Sequence, residues 1–317
     1  MASHRKEIIW IHALHGFLRG PEDFRPLAAA LEAAFILPPS DIDSLNWSLA
    51  RDIDLDDSVR MRLVAWDVRS WLVDPFCSSV DGLAEKFRNT LAAALAPVKG
   101  RSKKNGEVER HVLLGEGLGA RILIRAVTRE LQVRGDADHK VAKKAKKGRS
   151  IEIPLERVVF LAGHPGIRDL GERAARQARE SAWAERVLRE PLPKVRSEWF
   201  QQLPFSTSPR MMQQLQSEAD SWTEFLSPDR ISELFRSLLL GRQEDERETL
   251  QSWNQQIEES ERFLWVSGEK DRKFVNLLHE LQDLGVPGEF WMCPDAGHAV
   301  FLDSPEDLAE RIRLFLI

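Results

Sequence analysis

The 317-residue chain carries a formal net charge of −5, with 45 Lys and Arg against 50 Asp and Glu, which gives no global pull toward nucleic acid or an anionic membrane. Hydrophobic residues at 43% and charged residues at 30% suit a globule large enough for one core domain plus an insertion. Two cysteines, Cys77 and Cys293, are too few for a disulfide framework and fit a reducing, cytoplasmic setting, while the absence of a bilayer-length apolar run and the passage of Met1–Glu7 straight into a strand predict neither membrane span nor signal peptide.

In chain order, strands alternate with helices, the pattern of a mainly parallel sheet flanked by helices. The patterning predicts strand Glu7–Ala13, helix Glu22–Phe35, strand Arg62–Val68 and helix Val80–Ala96. Strand His111–Leu114 then leads into helix Leu118–Leu131, followed by strand Val158–Ala162. After an interruption come strand Arg262–Ser267, helix Lys273–Leu284 stopped by Gly285, and strand Glu289–Cys293. A final helix is signalled by Ser304 as N-cap, Pro305 at its first position and an acidic residue at its third.

The interruption differs in character: it is rich in Arg, Glu and Gln, with Trp183, Trp199, Trp222 and Trp253 at helical spacing and prolines between helices. It divides the chain into a sheet core, 1–163 with 260–317, and a helical cap, 164–259, lying over the carboxyl edge of the sheet where ligands bind in open α/β folds. Arg101–Gly106 reads as a polar loop, and the basic run Lys140–Arg149 as a solvated insertion rather than a nucleic-acid patch. Asp52–Asp57 opens with the spacing of an EF-hand loop. Asp57 stands at its glycine position and Leu63 at its bidentate glutamate position, so no metal site is expected.

Chemistry concentrates at strand ends. Gly115-Glu116-Gly117-Leu118-Gly119 sits between an apolar strand and an apolar-periodic helix, the context of the G-x-S-x-G nucleophile elbow of the α/β-hydrolase fold, with Gly117 at the serine position. Gly117 offers no oxygen to attack a carbonyl. His15-Gly16-Phe17 ends the first strand where that fold supplies one oxyanion N–H, here Phe17, with the Leu118 N–H as the second. Asp271 and His298 follow the last two strands in the order the fold uses, the Asp fixing the His tautomer and leaving Nε2 as the working base.

Further motifs carry a narrower resemblance. These are His164-Pro165-Gly166-Ile167, Arg173-Ala174-Ala175-Arg176-Gln177, Trp183, Glu190-Pro191-Leu192 and Glu198-Trp199-Phe200-Gln201-Gln202. With Leu14–Leu18, Arg121 and Gly268–Phe274, the chain resembles the family of 2-succinyl-6-hydroxy-2,4-cyclohexadiene-1-carboxylate (SHCHC) synthases of menaquinone biosynthesis. The resemblance implies a proton removed next to a carbonyl, departure of pyruvate, and no cofactor. It implies a small polycarboxylate substrate held by Arg121, Arg176 and Lys273, with Trp199 on the pocket wall. Where that family has Tyr-Ser, this chain has Glu116-Gly117. The antiparallel hairpin with which many hydrolases of this fold begin is expected to be missing.

Three functions are compatible with these residues. One is an SHCHC-synthase-type lyase, slowed or shifted by Gly117, in which His298 or Glu116 serves as base, directly or through a water in the serine's place. The second is a catalytically silent protein that binds an anionic metabolite. The third is a hydrolase with displaced catalytic residues.

Overall fold

The computed structural model describes residues 7–38, 61–95, 108–136, 156–217, 222–252 and 262–317. Seven strands form one sheet in the order β2-β3-β1-β4-β5-β6-β7. They are β1 (Glu7–Leu14), β2 (Ala34–Ile36), β3 (Met61–Trp66), β4 (Val108–Glu116), β5 (Arg157–Leu161), β6 (Phe263–Gly268) and β7 (Glu289–Cys293). Every pairing among the described residues is parallel. Parallel strands covered on both faces read as continuous apolar runs, and β6, buried along its whole length, does so.

Helices flank the sheet: α1 (Arg25–Ala30), α2 (Val80–Leu95) and α3 (Leu118–Asp136) early in the chain. Between β5 and β6 the described residues form helices and no strand: α4 (Leu170–Arg189), α5 (Leu192–Phe200), α6 (Pro209–Ser217), α7 (Pro228–Ser237) and α8 (Arg247–Ser252). Helices α9 (Arg272–Asp283) and α10 (Pro305–Leu316) complete the chain. Among the described residues, no helix is long and apolar enough to cross a membrane.

The register brings the carboxyl ends of the central strands together. Leu14 lies opposite Gly115, Glu116 opposite Leu161, and Leu161 opposite Val266. Loops leaving β1, β4, β5 and β6 therefore emerge side by side, which is what assembles a site from segments far apart in sequence.

One expectation is corrected. The helix expected over Glu22–Phe35 is a 3-10 turn, Pro21–Phe24, then α1 ending at Ala30; Glu32 takes a left-handed φ of 54° and Ala34–Ile36 becomes the edge strand β2. The alanine run suggested helix, and pairing of Phe35 and Ile36 with β3 outweighs that propensity. Ser304 stands at the N-cap of α10 with Pro305 following and Glu306 and Asp307 in the first turn, as expected, although its side chain makes no capping bond. Met1–Lys6, Asp52–Asp57, Arg101–Gly106, Lys140–Arg149 and Trp253 lie outside the described residues.

Candidate active site

The turn at Gly117 is built as a nucleophile elbow. Gly117 follows β4 directly, has φ +53°, and is followed at once by α3. A left-handed φ is strained for any residue with a side chain, and glycine removes that cost. Close approach explains its neighbours: a Cβ on Gly115 would lie 2.6 Å from the Ala120 nitrogen, and one on Gly119 would run into the Leu14 carbonyl. At Gly117 itself there is room, since the nearest atom to an added Cβ is the Gly16 Cα at 3.6 Å.

Asp271 and His298 meet as a buried pair. His298 Nδ1 donates to Asp271 Oδ2 at 2.6 Å, and Asp271 Oδ1 accepts from the Phe274 N–H at 3.2 Å as the N-cap of α9. The imidazole is held edge-on by Phe205, with ring centroids 5.0 Å apart, and tilted against Phe274 at 5.1 Å. Its backbone N–H donates to Thr207 Oγ1 at 3.0 Å, which ties the His298 loop to the helical stretch. Nε2 makes no hydrogen bond among the described residues. Thr207 and Phe205 carry no sequence signal for this role, because their contacts arise only on folding.

His298 lines a cavity with about 1,080 Å³ of space not filled by atoms, open solvent included. Gly117, Phe17 and Leu118 line it too, and neither the Phe17 nor the Leu118 N–H is engaged by a backbone carbonyl among the described residues. Glu116, Arg121, Arg176, Lys273 and Trp199 also face it. Asp271 stands behind His298, off the cavity. His15 is a framework residue: Nδ1 donates to the Gly16 carbonyl at 2.9 Å and Nε2 accepts from the Val68 N–H at 3.0 Å.

Five cationic side chains line this cavity against two carboxylates, Glu116 and Glu180. They are not equally available. Arg121 donates through Nε to the Gln243 side chain and through Nη2 to the Leu238 carbonyl at 2.7 Å, so much of its guanidinium holds the stretch after α7 in place. Burial lowers its pKa to about 10, which leaves it charged at neutral pH. Arg176 pairs with Glu180, Nε to Oε1 at 2.6 Å. Lys273 has no carboxylate within ion-pair distance among the described residues; its ammonium lies 5.6 Å from the Phe274 ring centroid. The Lys273 side chain is exposed, and partial desolvation at the cavity wall together with the Arg176 charge pushes its pKa downward from the usual lysine range. His164 is held well below the usual histidine range by burial and by Lys273, Arg247 and Arg121, so it is a neutral wall residue.

Glu116 is the unusual group. Its carboxyl packs on Gly16, where an added Cβ would lie 3.1 Å from the carboxyl carbon, and its Oε2 is buried without a hydrogen-bond partner among the described residues. Burial pushes its pKa up, against the opposing pull of His298, Arg19 and His15 and with help from Asp23.

This fold and this elbow define a class, and the chain belongs to it: the pattern described as "Alpha/beta hydrolase family" matches residues 13–311. Among curated proteins the chain is similar to 2-succinyl-6-hydroxy-2,4-cyclohexadiene-1-carboxylate synthase of Serratia proteamaculans, 29% identical over 163 residues. The corresponding protein of Klebsiella pneumoniae is 30% identical over 152 residues. These matches cover 51% and 47% of this chain and 58% and 53% of the relatives, so the chain spans a little over half of their length. Among solved structures it is similar to MenH from S. aureus, with TM-score 0.60 and 15% identity over 98% of this chain and 93% of that one. Bromoperoxidase from Bacillus anthracis gives TM-score 0.59 at 11% identity, covering 98% of this chain and 92% of that one. At such identities the structural likeness establishes the fold alone.

Proposed function

We propose that the chain is a lyase of the SHCHC-synthase type, eliminating pyruvate from a succinyl-enolpyruvyl-cyclohexene carboxylate without a serine. Residues 164–259 act as the cap over a core of 1–163 and 260–317. The carrying observation is that His298, held from behind by Asp271, shares one cavity with the cations Arg176 and Lys273 and the open space above Gly117.

In this scheme Nε2 of His298, directly or through a water above Gly117, takes a proton next to the succinyl carbonyl. The C–H electron pair passes through the enolate into the new ring double bond as the C–O bond to the enolpyruvyl group breaks. Pyruvate leaves as its enolate and is protonated. The Phe17 and Leu118 N–H groups stabilise the charge developing on the carbonyl oxygen. Asp271 holds the tautomer and stabilises the imidazolium. Lys273 and Arg176 bind carboxylates, Trp199 shapes the wall, and Arg121 chiefly supports the site. Several cations converging on one cavity are what the carboxylates of a polyanion require once desolvated.

Elimination needs a base and no acyl carrier, so it tolerates Gly117 where ester hydrolysis through a serine does not. The test is pyruvate release from the enolpyruvyl substrate by the intact chain, abolished in His298→Ala. Glu116 supports a second reading, a silent anion-binding protein, because a carboxyl beside the reacting space opposes a polyanionic substrate while ionised. Binding without pyruvate release would favour it.

A further inference from the structure

Arg19 lies in the loop after β1, two residues beyond the oxyanion residue Phe17, and lines the same cavity. Its side chain is 3% exposed, and Nε is paired with Asp23 Oδ2 at 2.6 Å. The terminal nitrogens Nη1 and Nη2 are both buried and neither has a hydrogen-bond partner among the described residues. Buried guanidinium donors without an acceptor are rare in folded proteins and call for an explanation. Asp23, its ion-pair partner, is already engaged, since it also accepts from Gln214 Nε2 at 2.7 Å. The Glu116 carboxyl is near enough to feel the Arg19 charge but makes no hydrogen bond to it among the described residues.

The loop is built to hold this side chain in place. Leu18 adopts φ +59°, an uncommon conformation for a residue with a branched side chain. Its carbonyl accepts from Arg196 Nε at 3.1 Å, and the Arg19 carbonyl accepts from Trp222 Nε1 at 3.0 Å. Both donors come from the helical stretch between β5 and β6, so that stretch and the β1 loop together orient the fork. Lys273 enters from the far side: it lies in the first turn of α9, reached by the loop that leaves β6, and β4 and β5 stand between β6 and β1. Three strand spacings put those loops about 14 Å apart.

We infer that Arg19 is a carboxylate-binding residue, its two terminal nitrogens forming a second anion subsite on the β1 side of the cavity. The ligand is then a compact di- or tricarboxylate that spans from Arg19 to the Lys273–Arg176 side. A planar fork grips a carboxylate with two parallel hydrogen bonds, which a lysine at the same position cannot do. The inference rests on the polycarboxylate reading of the cavity and adds to it a residue that fixes ligand length and orientation.

The probe is 2-succinylbenzoate, the stable aromatic counterpart of the compound in the relatives' name, together with its two monomethyl esters. Binding to the intact chain is measured by titration calorimetry, with folding of each variant checked by thermal unfolding. Arg19→Lys keeps a cation beside Asp23 but loses the fork, and should weaken diacid binding at least fivefold; Arg19→Gln should weaken it at least tenfold. One monoester, lacking the carboxylate that Arg19 holds, should bind wild type and Arg19→Gln within twofold of each other. A merely structural arginine would not produce that ester discrimination. Unchanged diacid binding in Arg19→Gln with binding lost in Lys273→Met would overturn the Arg19 assignment and leave the polycarboxylate reading standing. A diacid that does not bind wild type would overturn both.

Discussion

Asp271 splits its carboxylate between two tasks: Oδ2 holds His298 Nδ1 at 2.6 Å while Oδ1 caps α9 through the Phe274 N–H. Helix capping and the holding of the His298 ring are therefore done by one carboxylate, and substitution can separate them.

Asp271→Asn keeps a good capping oxygen, so stability should change by about 0.5 kcal/mol or less. Pyruvate release should fall at least about a hundredfold, because the amide no longer stabilises the correct imidazole tautomer or the imidazolium. Asp271→Ala loses the cap as well and should cost about a further 1 kcal/mol. Denaturant unfolding and steady-state turnover on the same preparations check both parts.

Glu116 predicts a pH-dependent stability difference. Its pKa is raised in the folded chain by burial, so the folded state binds this proton more tightly than the unfolded state, where glutamate titrates near about 4.3. Its contribution is intact below that value and is lost as pH rises toward the folded pKa. Glu116→Gln should match wild type near pH 4 and melt at a higher temperature at pH 8. Melting curves of both proteins between those limits decide it; a gap that is constant or reversed contradicts the assignment.

Lys273 should show function opposing stability. It is exposed and has no carboxylate partner among the described residues, and partial desolvation with the nearby Arg176 charge pushes its pKa downward, so its charge contributes no stabilising ion pair to the ligand-free protein. Lys273→Met should leave unfolding stability equal to or above wild type while weakening carboxylate binding at least about tenfold. Arg121→Met should do the opposite, losing about 2 kcal/mol of stability by abandoning the Leu238 carbonyl and Gln243. Thermal unfolding and calorimetry of the two variants separate a binding cation from a supporting one.

The sheet was legible in the sequence because its parallel strands are apolar runs that end in recognisable chemistry. His15-Gly16, Gly115–Gly119, Asp271 and His298 each mark a strand's carboxyl end, and the register aligns those ends. The edge strand Ala34–Ile36 was not legible, since three residues after an alanine run carry too little pattern to outweigh helix propensity. At the site, spacing cannot reveal which cations are already committed. Arg121 is spent on Gln243 and Leu238, and Arg19, two residues past Phe17, is left with two nitrogens that have no partner among the described residues. Those are outcomes of tertiary packing across the helical stretch.

Gly117→Ser should be accommodated sterically, with 3.6 Å to the nearest neighbour of the new Cβ. The left-handed backbone should cost about 1 kcal/mol and about 2 °C in Tm. The restored hydroxyl adds a group that His298 can deprotonate, and pyruvate release should rise at least about tenfold.

The most direct test of a serine-free elimination is a side-by-side assay of the chain, Gly117→Ser and His298→Ala on the enolpyruvyl substrate and on a simple aryl ester. The account predicts slow pyruvate release by the chain, faster release by Gly117→Ser, none by His298→Ala, and negligible ester hydrolysis by the chain as it stands. Ester turnover by the unsubstituted chain that disappears in His298→Ala, with no pyruvate released by any of the three, would contradict it.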